Sequence, residues 1–128
     1  MSRTNDHKEV IMEQLAPLCP SLFYQISPDS AGFPRAVYEL RQLSVHDYPY
    51  EKHLLTLHLY DKCADEALQD TADTVTAVMD GKILETEGFY YQIFYNQDRQ
   101  PVPEQEKSLR HIMLTFEVRI YARSEYYA

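Results

Sequence analysis

The sequence predicts an α+β single domain, with an antiparallel sheet of about four strands packed against two helices. Three stretches carry that expectation. Residues 111–121 read HIMLTFEVRIY, in which Ile112, Leu114, Phe116, Val118 and Ile120 alternate with His111, Met113, Thr115, Glu117, Arg119 and Tyr121. A period of two sends the first set to one face and the second to the other, and the apolar set is β-branched and aromatic, as a half-buried strand requires. Residues 52–60, KHLLTLHLY, place Leu55, Leu57 and Leu59 on one face in the same way. Residues 61–80 change period. Ala64, Ala67, Leu68, Thr71, Ala72, Val75, Val78 and Met79 recur at the three-four spacing of an amphipathic helix.

The other elements follow in order. Residues 1–5 are polar. A short helix begins at Asp6, which can cap it with Glu9 three residues on. Pro17 and Pro20 end it near Leu15–Leu18. Residues 22–26, LFYQI, form a short extended segment, and turn chemistry before Pro34 leads into a strand over 35–43. Residues 44–52 connect to the Leu-rich strand. Asp61 can cap the second helix, and Gly81 suits the left-handed residue just past its end. Residues 82–84 make a brief strand and 85–88 a turn. Residues 89–96, FYYQIFYN, form a strand dense in aromatics. Residues 96–110, NQDRQPVPEQEKSLR, are polar throughout with two prolines and read as a long loop, a kind that is usually functional or disordered. The domain core spans about 6–123, between short tails, and the chain ends on SEYYA.

Composition excludes several classes of function. The 128 residues suffice for one core. The first ten have no apolar run like that of a signal peptide, and no stretch approaches the length that spans a bilayer, so synthesis in the cytosol and no membrane partner are expected. The net charge of −8, with twelve Lys and Arg scattered along the chain, offers no basic stripe for nucleic acid. Cys19 and Cys63 form no CxxC pair and read as reduced thiols. Three glycines leave no phosphate loop.

Chemistry is equally sparse. His53 and His58 are five apart on a strand and point to opposite faces, so they do not chelate one ion by local spacing. His7, His46 and His111 sit in neither a metal nor a catalytic pattern, and each histidine reads as structural or solvated. No serine has a GxSxG context. No enzyme activity, cofactor or metal is therefore expected. Surfaces remain: the aromatic strand, the polar loop and the terminal tyrosines. The candidate contacts are Asp98, Arg99, Glu104, Glu106, Lys107, Arg110, Tyr126 and Tyr127. The loop's mixed charge suits salt bridges between subunits, although exposed pairs each add little.

The order of pieces resembles a known family. An N-terminal helix leads to LFYQI, then GFPRAVYEL. LLTLHLYDK runs straight into ADEALQDTADTVTAVMDG, and GFYYQIFYN and LRHIMLTFEVRIY follow. Over roughly residues 8–121 this is similar to the small tail-terminator or tail-completion proteins of long-tailed bacteriophages, the minor tail protein U class. The resemblance is one of pattern and order, with no catalytic signature to match. It implies a virion protein made in the host cytoplasm. Such a protein assembles as a homo-oligomeric ring, usually of six, at the head-proximal end of the tail tube. The ring stops tube polymerisation and meets the head-completion or connector protein, and DNA only passes through its channel. An acidic channel wall would not trap that DNA. A head-side neck or stopper protein is the nearer alternative. A small enzyme or ligand-binding domain is the alternative from another class, and a deep apolar pocket with convergent polar groups would mark it.

Overall fold

The structure is a computed structural model that describes residues 3–19, 21–25, 32–44, 50–62 and 65–122. In chain order the elements are α1 (Arg3–Leu15), β1 (Leu22–Tyr24), β2 (Arg35–Ser44), β3 (Glu51–Lys62), α2 (Asp65–Met79), β4 (Ile83–Glu85), β5 (Phe89–Pro101) and β6 (Leu109–Ala122). The strands form one six-stranded sheet in the order β1-β2-β3-β6-β5-β4.

The alternating strand of 111–121 lies near the centre of this sheet. β6 pairs antiparallel with β3 on one side and β5 on the other. The registers Leu55↔Phe116, Leu57↔Leu114 and Leu59↔Ile112 put the apolar sets of both strands on one face. Val118 opposite Ile93 and Ile120 opposite Tyr91 extend that face into β5. All ten of these side chains are at most 2% exposed.

Both helices cover the same face. α2 buries Leu68, Ala72, Val75 and Met79 at spacings of four, three and four, and lies against β3, β5 and β6. Val78 and Ala67, expected on that stripe, are exposed, Val78 at 41%, because the buried arc is narrower than the apolar one, and Ala64 lies outside the described residues. α1 buries His7, Ile11 and Leu15 at successive four-residue spacing. The Tyr38 hydroxyl donates to the Lys8 carbonyl at 3.3 Å, tying α1 to β2. The first helix ends at Leu15, as its prolines require. Gly81 has φ +76° just beyond α2 and donates its N–H to the Ile93 carbonyl at 2.8 Å, so the helix is closed by the sheet it packs on.

Several expectations need correction. The sheet has six strands instead of about four, and it is mixed, because β1 runs parallel to β2. β1 and β4 have three residues each, too few for alternation to register. α1 begins at Arg3, so Asp6 lies in its first turn and is not its cap. β3 runs to Lys62, so Asp61 does not cap α2; its Oδ1 accepts the N–H of Lys62 at 2.8 Å.

The largest correction concerns 96–110. β5 continues to Pro101 and β6 starts at Leu109, which leaves only 102–108 as connection. The ladder is interrupted once. Tyr95 faces Phe116 but Asp98 faces Thr115, so Asn96 and Gln97 form a bulge, with Gln97 at φ +57°. Backbone pairing to a long central strand does not depend on apolar side chains, and so a polar segment extends the hairpin.

Candidate functional site

The hairpin extension takes the candidate contacts away from a free loop. Asp98 accepts from Gln100 Nε2 at 2.7 Å and from Thr115 Oγ1 at 3.3 Å. Arg99 turns to the helix layer. Its Nη1 meets Asp73 Oδ1 at 2.6 Å, and its Nη2 donates to the Gln69 carbonyl at 3.0 Å and to Gln69 Oε1. Glu104 contacts His111 Nδ1 at 2.8 Å. Glu106 pairs with Lys62 at 3.3 Å and accepts from Ser108 Oγ at 2.9 Å, and these two partners hold its carboxyl below the usual range. Arg110 Nη1 donates to the Lys107 carbonyl at 2.7 Å. The charges expected to bridge subunits thus bond within one chain. Glu106, Lys107 and Arg110 keep exposed side chains that a neighbour can reach. Tyr126 and Tyr127 lie outside the described residues.

Arg99 has a structural task that its position in a polar stretch concealed. It bolts the β5 extension to α2 across the bulge. Arg99→Ala should cost about 1 kcal/mol, the net worth of a part-exposed charge-assisted bond set. Urea denaturation reads the change, and an unchanged midpoint would show that the contact carries no stability.

The second surface is the sheet face opposite the helices. β3 presents Lys52, Leu54, Thr56, His58 and Tyr60 there, and β6 presents His111, Met113, Thr115, Glu117, Arg119 and Tyr121. Glu117 accepts from Arg119 Nε at 2.5 Å and meets Lys52 at 3.4 Å. The Arg119 guanidinium also lies over the Phe94 ring at 4.7 Å and the Tyr50 ring at 5.1 Å. The alternation of β6 is therefore borne out on both faces.

Toward the end of this face nearest the β5–β6 connection two histidines meet. His58 Nδ1 and His111 Nε2 are 2.8 Å apart, and the Tyr60 ring stacks on His111 with centroids 4.2 Å apart. Burial lowers the pKa of both, while Glu39 beside His58 and Glu104 beside His111 act in the opposite sense. Read singly, each histidine has no partner pattern, since 53 residues separate the two in sequence. Aligning the two strongest strands in register is the step that brings them together.

A second histidine cluster lies under α1. His7 Nδ1 contacts the Tyr91 hydroxyl at 2.7 Å, and its ring meets those of Phe89 and His53 edge-on. His53 is fully buried and its Nε2 is 3.3 Å from Glu51 Oε1. Burial pushes the His53 pKa below its ordinary 6.5, with Glu51 opposing in part. The unfolded chain then binds more protons than the folded one below that value. Stability from this site is complete above about pH 6.5 and is lost as pH falls through the lower folded value. The urea midpoint should therefore drop between pH 7.5 and 5, and His53→Gln should flatten part of that slope. An equal slope in both chains would contradict the assignment.

Among the described residues, two clefts flank the helix layer. One, of about 620 Å³, lies between α1 and the β4–β5 turn and is lined by Asp6, Glu9, Glu13 and Glu87 beside Phe89 and Tyr91. The other, of about 370 Å³, lies between the start of α2 and the hairpin connection, with Asp65, Glu104, Glu106, Lys107 and Arg110 in its lining. Carboxylates dominate the first and mixed charge the second. Neither is the deep apolar pocket with convergent polar groups that would mark a ligand-binding domain. Burial pushes the Cys19 thiol up to about 12, which removes its nucleophilicity at neutral pH. Cys63 lies outside the described residues.

With the geometry in place, the chain can be set beside known proteins. No family model matches it. No curated protein matches it either. Solved structures do. A chain of the virion of a native gene transfer agent particle superposes with a TM-score of 0.62 at 13% identity, covering 83% of this chain and 82% of that one. A second solved structure, which carries no functional description, superposes with a TM-score of 0.69 at 10% identity, covering 94% and 96%. At such identities the likeness is one of fold, and it spans most of each chain.

Proposed function

We propose that this chain is a structural protein of a phage-like particle. It forms a ring, of six copies, at the head-proximal end of the tail tube, terminates tube polymerisation and joins the tail to the head. The observation that carries the reading is the fold shared with a gene transfer agent virion chain over more than four-fifths of both molecules. The sequence resemblance to tail terminators adds the finer role. The chain works through surfaces, without catalysis or cofactor, and its partners are further copies of itself, the tube protein and the head-completion protein.

Charge distribution fits a channel that passes DNA. α2 carries Asp65, Glu66, Asp70 and Asp73 and no Lys or Arg. An outer helix face of this kind bordering the DNA path would repel phosphates and let the strand slide. An assembled ring with a basic channel wall would refute that orientation.

The role predicts a location. A tagged copy supplied during particle production should purify with the particles, and label should decorate the junction of tail and head. Label on the capsid surface, or absence from purified particles, would reject the proposal.

A further inference from the structure

The face that α1 buries is partly titratable. His7 shares it with Ile11 and Leu15, and the His7 ring meets that of His53 on β3 edge to face, with centroids 5.7 Å apart. Both rings are at most 1% exposed. His7 Nδ1 is engaged by the Tyr91 hydroxyl at 2.7 Å. His53 Nε2 lies 3.3 Å from Glu51 Oε1, and its buried Nδ1 has no hydrogen-bond partner among the described residues. A carboxylate accepts a hydrogen, so the neutral ring donates from Nε2 to Glu51 and keeps a lone pair on Nδ1. A proton added there would find no acceptor, and the charge would be desolvated against a second imidazole.

The groups that face His53 from the other elements do not offset that charge. β2 and β6 place Gln42 and Val118 opposite it. β5 supplies Phe89 and Tyr91 around His7, and burial pushes the Tyr91 hydroxyl up to about 12, so it stays neutral. α2 turns Leu68, Ala72, Val75 and Met79 to the core. Glu51 favours the charged ring only in part, since burial outweighs it. Asp6 of α1 acts on Tyr91, and Glu9, Glu13 and Glu87 line the outer cleft beyond that ring.

We propose that α1 is an acid-released layer: proton uptake by His53, which lies against His7 of α1, detaches the helix from the sheet while the strands and α2 stay folded. α1 contributes no strand, so it can leave without breaking a ladder. Beyond its buried face, it is tied by the Tyr38 hydroxyl on the Lys8 carbonyl at 3.3 Å and by the Lys8 ammonium over the Tyr24 ring at 4.3 Å. These are contacts of modest strength, and local opening draws on such elements first. The buried stripe of α2 holds no titratable group, so acid does not act on it directly. Burial holds the docked His53 below 6.5, and release returns it toward that ordinary value. Release therefore takes up a proton. It becomes more favourable as pH falls from about 6.5 to the docked value, by up to about ten-fold per pH unit. The loss of stability in acid is then concentrated in one layer.

Amide hydrogen exchange of the full chain between pH 7.5 and 5, corrected for the intrinsic exchange rate, tests this. Opening of residues 3–15 should rise by up to about ten-fold per pH unit below about pH 6.5. It should exceed the opening of 51–62, 65–79 and 109–122 throughout. His53→Gln should hold the opening of 3–15 nearly level across the range. Glu51→Gln removes the carboxylate that favours the charged docked ring, and should raise the opening further at the acid end. Melting curves identify which variants fold, and Glu51→Gln remains informative if His53→Gln does not. Opening of 3–15 that is independent of pH in the native chain, a pH dependence unchanged in the folded variants, or sheet and α2 segments that open together with α1 at every pH would overturn the proposal.

Discussion

Val75→Asp should abolish cooperative folding. Val75 is fully buried on α2, in the stripe Leu68–Ala72–Val75–Met79 that lies against β3, β5 and β6. A carboxylate there has no basic side chain of its own helix to meet, because α2 has none. Burying an unpaired charge costs several kcal/mol even after its pKa shifts, and a domain of this size has only about 5–15 kcal/mol in total. The neighbouring Val78→Asp is the control. Val78 is 41% exposed, and its replacement should change stability by at most about 0.5 kcal/mol. Circular dichroism melting reads both. A soluble Val75→Asp protein with a cooperative transition would show that α2 buries a different face.

Phe116→Ala should cost about 3–5 kcal/mol, the range for emptying a packed aromatic site. Phe116 is fully buried on β6, opposite Leu55 on one side and Tyr95 on the other. Its ring centroid lies 5.4 Å from that of Tyr95. Both neighbours belong to paired strands, so the surroundings have little freedom to close the void. The urea midpoint should fall with an unchanged slope. A loss under about 1 kcal/mol would mean that the site refills, and that β6 is less central to the core than its pairing implies.

These two sites also mark what was legible in the sequence. β3, β6 and α2 are long enough for their periods to show; the two strands bury the apolar sets that alternation selects, and α2 buries Leu68, Ala72, Val75 and Met79 of its wider stripe. The failures have local causes. β1 and β4 are strands because a longer neighbour pairs with them, and three residues carry no alternation of their own. The segment after Tyr95 reads as loop because it is polar and holds two prolines. It is strand through Pro101 because β6 supplies a backbone ladder and α2 supplies partners for Arg99. That pairing also gives Asp98 and Arg99 partners within the chain. The histidines were legible only as individuals. His58 and His111 become a pair once Leu57 sits opposite Leu114, a fact of tertiary register that no spacing within one strand contains.

The surface roles depend on partners that leave no local signal in one chain. A ring contact needs only shape and modest charge complementarity, and such features look like ordinary solvated surface when read one residue at a time. At 13% identity the likeness to a virion chain is one of fold, and the role and the place in the particle belong to the proposal.

The most direct test is electron microscopy of particles produced without this gene. Overlong tails beside DNA-filled heads that lack tails are the predicted result. Tails of normal length that never join heads would move the protein to the head side of the neck. Normal, complete particles would contradict a structural role in the virion altogether.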